Sequence, residues 1–127
     1  TASIYFFGFQ QRDKIPEFYA ISDLLVLPSF RETWGIVVNE AMCFGLPVIV
    51  SNQVGAGVDL IANGQNGYIV ETNGSSLLRS LKQIVELSEE KRSQMGVASM
   101  KTMEAWASRD LAGLLIGHLK SIREKKS

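Results

Sequence analysis

The chain has 127 residues, enough for one domain that buries roughly two thirds of its unfolded surface without disulfide or metal staples. Lysine plus arginine balance aspartate plus glutamate, 13 against 13, so no overall field draws the chain to nucleic acid or to an anionic membrane, and any bound anion must be held locally. No apolar run approaches the ~20 residues of a membrane span, and the first residues lack the charged and apolar regions of a signal peptide.

Short apolar runs alternate with helical stretches over the first seventy residues. The runs are residues 4–7, 24–27, 47–50 and 68–70, each nearly continuous in apolar side chains, as in strands covered on both faces. Between them, residues 14–22, 35–44 and 58–62 read as helices. This βαβα order predicts an α/β fold, a partial Rossmann-like parallel sheet flanked by helices and followed by C-terminal helices. The first run stands almost at the first residue and reads as a cut through a larger fold. Gly8 closes that run, and Gly45-Leu46-Pro47 closes the central helix. Gly64, Gly67 and Gly74 mark turns around the last strand, where Asn-Gly pairs supply positive φ.

After Asn73-Gly74 the pattern becomes helical, with Leu77, Leu78, Leu81, Ile84 and Val85 at three-to-four spacing and Ser75 or Ser76 as a cap. Ser88-Glu89-Glu90 opens a second helix ending near Trp106, and residues 111–123 predict a third with Leu111, Leu115, Leu119 and Ile122 on one face. Residues 1–74 thus form an α/β part and residues 75–127 a helical part of a single domain. Met95, Met100 and Met103 read as core fillers. Cys43, the one cysteine, reads as a small buried apolar residue in a reducing compartment, the cytoplasm.

Chemistry concentrates between Pro28 and Gly45, where Glu32 and Glu40 stand in a mostly apolar stretch. A carboxylate taken out of water costs on the order of 1–3 kcal/mol even when partly compensated, so each needs donors. On one continuous helix the two acids would stand about 12 Å apart. A helix beginning at Gly35 instead leaves Glu32 on the strand-to-helix loop, and Glu40 leans back from the second turn toward the same crevice. That crevice lies at the C-terminal end of a parallel strand, where open α/β sheets bind ligands. The N–H groups of Gly35, Ile36 and Val37 would form an anion site, and Glu40 would hold vicinal ribose hydroxyls. The competing structural reading makes Glu32 a solvated loop acid and Glu40 a buried acid satisfied by backbone or by a neighbour such as Arg31.

Pro28-Ser29, Glu32-Thr33-Trp34-Gly35-Ile36, Glu40-Ala41-Met42 and Gly45-Leu46-Pro47-Val48-Ile49 resemble the donor-site signature of the family 4 retaining glycosyltransferases, which have the GT-B fold. The likeness extends to Gly8, to Ser22-Asp23 and to residues 63–67, covering about residues 4–100. The resemblance implies that Glu32 contacts the transferred sugar as the catalytic acid of the pair, and that Glu40 holds the nucleotide ribose. Thr33, Trp34, Gly35, Ile36 and Val37 would meet the sugar and diphosphate, with Trp34 replacing the usual phenylalanine as an aromatic wall. It implies a nucleotide diphosphate sugar as donor, no metal or other cofactor, and retention of anomeric configuration. It further implies an acceptor held by an N-terminal domain, together with a basic diphosphate clamp, both before Thr1. A role in polysaccharide or glycolipid synthesis, with peripheral attachment at the cytoplasmic face of a membrane, would suit such a parent. The alternatives are a non-catalytic nucleotide-sugar-binding or interaction module and, without support from the acidic signature, a sugar-nucleotide epimerase.

Residues 55–59 depart from the family's Gly-Gly turn and glutamate, leaving Asp59 without an assigned role. Phe9 and Gln10 stand where relatives contact the base through backbone, or else simply pack. His118 is assigned no role. Lys120, Arg123, Lys125 and Lys126 can touch anionic lipid, although the helix dipole and solubility explain them more simply.

Overall fold

The computed structural model describes residues 3–126, with the backbone alone for residues 110–121, 125 and 126. In chain order the elements are α1 (Ile15–Ile21), β1 (Leu25–Leu27), α2 (Ile36–Cys43), β2 (Val48–Ser51), α3 (Gly55–Leu60), β3 (Gly67–Val70), α4 (Gly74–Val85) and α5 (Glu89–Lys126). The three strands form a parallel sheet in the order β1-β2-β3, with Val26 opposite Ile49 and Ile49 opposite Tyr68.

Alternation along the strands divides the core in two. Val48 and Val50 of β2, with Leu25, Leu27 and Ile69, point to a face covered by Tyr19 of α1, Val38, Ala41 and Met42 of α2, Leu60 of α3 and Met103 of α5. Ile49, with Leu24, Val26, Tyr68 and Val70, points to the other face, covered by Leu77, Leu81 and Ile84 of α4 and by Met95 of α5. All four residues of β2 are buried, which accounts for its unbroken apolar run. Each fully buried Val or Ile here contributes about 1.5–3 kcal/mol.

The expected strand at residues 4–7 is absent. Ile4, Tyr5, Phe6 and Phe7 are exposed, because an apolar run becomes a strand only through a ladder, and none of the three described strands pairs with it. Phe7 instead meets Phe18 of α1 edge-on at 5.0 Å.

Helix α3 starts and stops earlier than residues 58–62. Its first N–H groups, those of Gly55 and Ala56, are taken by the carbonyls of Glu32 and Trp34. The Asn66 side chain ends it, donating to the Leu60 carbonyl and accepting from the Ala62 N–H, both at 2.9 Å. Helix α4 is capped by Asn73 rather than by Ser75 or Ser76: Asn73 Oδ1 accepts the Ser76 N–H at 2.8 Å. Ser88 does cap the next helix, accepting the Lys91 N–H at 3.2 Å.

The two last helices expected from the sequence are one. Between Trp106 and Leu111 there is neither glycine nor proline to stop the backbone, so α5 runs through. Of the expected third-helix face, Ile122 is exposed, and the side chains of Leu111, Leu115 and Leu119 lie outside the described residues, as do those of His118, Lys120, Lys125 and Lys126. Gly64 has the expected positive φ, +82°, but Gly67 and Gly74 do not. Gly67 serves close strand approach instead, since a Cβ there would lie 1.8 Å from the Val48 carbonyl oxygen. Cys43 is exposed, because the buried side of α2 consists of Val38, Asn39, Ala41 and Met42. Met95 and Met103 fill the two cores as expected, but Met100 is 43 % exposed.

Candidate functional site

The loop from Pro28 to Gly35 leaves the C-terminal end of β1 and is stitched to the segment that follows β2. Glu32 donates its N–H to the Gln53 carbonyl at 3.0 Å and accepts the Gly55 N–H at 3.0 Å, while Ala56 donates to the Trp34 carbonyl at 2.9 Å. The Ser51 hydroxyl donates to the Ser29 carbonyl and accepts the Gln53 N–H. Only glycine fits at position 55, where a Cβ would stand 1.9 Å from the Thr33 carbonyl oxygen. Gly55 therefore supplies the clasp that shapes the acidic loop. Asp59 is exposed on α3 and takes no part in it.

Gly35 caps α2 in the left-handed region, at φ +91°, a conformation most side chains resist. A Cβ there would also crowd Val54 Cγ1 at 3.1 Å and Leu27 Cδ2 at 3.2 Å. The Val38 N–H returns to the Gly35 carbonyl at 3.0 Å, whereas among the described residues no acceptor takes the N–H groups of Gly35, Ile36 or Val37. The positive end of the helix dipole is thus left with open donors.

The two acids flank this start from different sides. Glu32 runs beside it: its Cγ would be 3.4 Å from a Cβ on Gly35. Its residue is exposed, which corrects the expectation that both carboxylates leave water, and among the described residues no side chain pairs with it. Glu40 faces α1. Tyr19 donates its hydroxyl to Glu40 Oε2 at 2.9 Å, and Arg12, not Arg31, stands 4.0 Å from Oε1. Burial first, then the hydrogen bond to Glu40 and its negative charge, push the Tyr19 phenol above its usual range. Arg12, Pro16, Tyr19, Glu40, Cys43 and Phe44 line a cavity of about 260 Å³. A second, mostly apolar cavity of about 310 Å³ lies at the strand ends, between Pro28, Phe30, Ser51, Val70, Thr72 and Leu77.

Trp34, at the end of the acidic loop, is half-buried. Its indole stacks on Trp106 of α5, with centroids 5.8 Å apart, and its Nε1–H donates to Asn39 Oδ1 at 2.8 Å. Asn39 in turn donates to Met103 Sδ at 3.7 Å. Thr33 lends its backbone carbonyl to the packing against Gly55. Phe9 is exposed, and the Gln10 side chain donates to the Phe7 carbonyl.

Tyr19, Asn39 and Trp106 support the site without having been singled out in the sequence. Each meets its partner through tertiary packing, and only the i, i+5 spacing of Trp34 and Asn39 falls within a local window. No group of three His, Cys, Asp or Glu side chains converges among the described residues, and no described helix is long and apolar enough to cross a membrane.

Residues 1–102 match the family described as glycosyl transferases group 1, the greater part of the chain. The chain belongs to that family. Over 71 residues it is 39 % identical to the D-inositol 3-phosphate glycosyltransferase of Rhodococcus jostii (strain RHA1), covering 56 % of this chain and 16 % of the relative. Over 103 residues it is 34 % identical to the spore coat protein SA of Bacillus subtilis (strain 168), covering 79 % and 27 %. It therefore spans well under two thirds of the length of these relatives. Among solved structures, the C-terminal domain of a glycosyl transferase group 1 family protein from Francisella tularensis matches with a TM-score of 0.67 at 26 % identity, over 77 % of this chain and 50 % of that one. Anabaena HepE, solved in complex with UDP and glucose, shares the fold with a TM-score of 0.70 at 23 % identity, over 89 % and 32 %. The group 1 chain thus has the open parallel α/β architecture of the GT-B glycosyltransferases.

Proposed function

We propose that this chain forms the donor side of a family 4 retaining glycosyltransferase and binds the nucleotide diphosphate of an activated sugar at the start of α2. One observation carries the reading: N–H groups of Gly35, Ile36 and Val37, unclaimed among the described residues, lie at a parallel strand's C-terminal end, flanked by Glu32, unpaired among those residues, and a half-buried Glu40. The N–H groups suit a diphosphate, the Glu40 carboxylate suits paired ribose hydroxyls, and Glu32 suits the hydroxyls of the transferred sugar. The UDP complex of HepE supports a nucleotide of this class.

In this reading the bond between the anomeric carbon and the diphosphate oxygen breaks as the acceptor oxygen attacks from the same face, and the acceptor proton passes to the departing diphosphate. Negative charge grows on the leaving oxygen, where the open N–H groups stabilise it without a metal ion. The protein contributes position and electrostatic stabilisation rather than a strong base. The acceptor would be held by a further domain of the longer protein.

An NMR titration of the chain with UDP and GDP tests the reading. Shifts are expected to centre on the amides of Gly35, Ile36 and Val37 and to vanish in Glu40→Ala. Shifts centred elsewhere, or undiminished binding by the variant, would remove the assignment.

A further inference from the structure

Glu40 is held by two contacts of unlike character. Tyr19, whose hydroxyl meets Oε2, is only 8 % exposed; its ring lies 5.5 Å from that of Phe44 and belongs to the main core. It cannot turn away without opening that core. Arg12, near Oε1, has a side chain 89 % exposed and a separation of 4.0 Å, the kind of surface ion pair that adds little.

A free glutamate must freeze its side-chain rotamers to grip a ligand, which opposes binding. A donor already fixed on one oxygen removes part of that cost before the ligand arrives. It does so without using up the carboxylate. Each oxygen accepts from two directions, so among the described residues Oε2 keeps a free lone pair beside the Tyr19 hydroxyl, and Oε1 meets only the loosely placed Arg12.

We propose that Tyr19 is a positioning residue of the donor site, its hydroxyl orienting the Glu40 carboxylate to receive the vicinal hydroxyls of a ribose. The inference rests on the reading of Glu40 given above. It assigns a role in ligand discrimination to a buried phenol on α1, outside the acidic loop and the helix that follows it.

The test compares the affinities of the full 127-residue chain for UDP and 2′-deoxy-UDP, or for the guanosine pair if the chain takes GDP, by NMR titration. Wild type is expected to favour the ribonucleotide by about tenfold, the worth of one hydrogen bond to a charged group. Equal affinities, or no binding of either pair, overturn the role of Glu40 and this inference with it. Tyr19→Phe keeps the ring and its packing; its preference is expected to fall to about threefold or less, with 2′-deoxy-UDP affinity and the amide spectrum of the core near wild type. A wild-type preference that survives intact in Tyr19→Phe overturns the positioning role alone. A parallel loss of both affinities marks Tyr19 as merely structural and overturns it as well.

Discussion

Trp106 on α5 stacks on Trp34 in the acidic loop, with centroids 5.8 Å and planes 28° apart. The helix that packs across α2 therefore braces the loop bearing Glu32. Through Asn39 and Met103 it also meets the interior of α2 itself. Loops are commonly positioned by the scaffold beneath them; for the acidic loop, part of that scaffold comes from α5.

Trp106→Ala is accordingly expected to destabilise the fold by about 2 kcal/mol, below the figure for a fully enclosed tryptophan because Trp106 is half-buried. Urea denaturation followed by circular dichroism measures the change. Trp106→Phe should lose roughly half as much, since it keeps a ring against Trp34. Amide shifts at Thr33 and Gly35 should accompany the alanine change, and their absence would show that the brace does not reach the loop.

Asn39 bridges the Trp34 indole and Met103 inside the fold. Asn39→Leu leaves the indole N–H without its acceptor and is expected to cost about 1–3 kcal/mol. If urea denaturation shows no loss, the indole has found another acceptor, and the bridge is dispensable.

Three glycines separate crowding from backbone strain. Gly55→Ala brings a methyl against the Thr33 carbonyl and is expected to lose about 2 kcal/mol or more through displacement of the acidic loop. Gly64→Ala meets open space at φ +82° and should lose only about 1 kcal/mol. Gly74→Ala, with neither obstacle, should gain about 0.4–1 kcal/mol. Thermal melts of the three variants give the ranking directly.

The raised Tyr19 phenol makes stability fall in alkali. Its folded pKa lies above its ordinary value of 10.0, so its contribution is complete below that value, where both states are protonated. As pH rises beyond it, the unfolded phenol ionises while the folded one resists, and the contribution is lost. The stability advantage of wild type over Tyr19→Phe should therefore be level below about pH 9.5 and shrink above about pH 10. Urea midpoints of the two proteins across that range measure it; a constant difference would contradict the shift.

The sheet was legible in the sequence because β1, β2 and β3 are covered on both faces and carry continuous apolar runs. The same signal misled at residues 4–7, where composition says nothing about whether a ladder partner exists. Helix α2 was legible from Gly35 and Gly45, both of which adopt positive φ. The continuity of α5 was not, since a change in apolar periodicity near Trp106 resembles a break although no backbone stop accompanies it. Within the site, Glu32, Glu40 and the Gly35 start stood close together in sequence. Tyr19 and Trp106 act on partners brought near only by packing, beyond what local spacing can reveal.

The clasp between Thr33 and Gly55 also restricts the length of the acidic loop, and not its composition alone. Surface loops ordinarily tolerate insertions, since the entropy of closing them grows slowly with length. Here one added residue between Ser29 and Trp34 would put Glu32 out of step with Gln53 and Gly55, and its carbonyl would no longer meet the N–H that it now accepts. Diversity can therefore be introduced at Phe30 or Arg31, whose side chains are exposed, by exchange of residues at constant number. Lengthening the segment would disengage two loops at once.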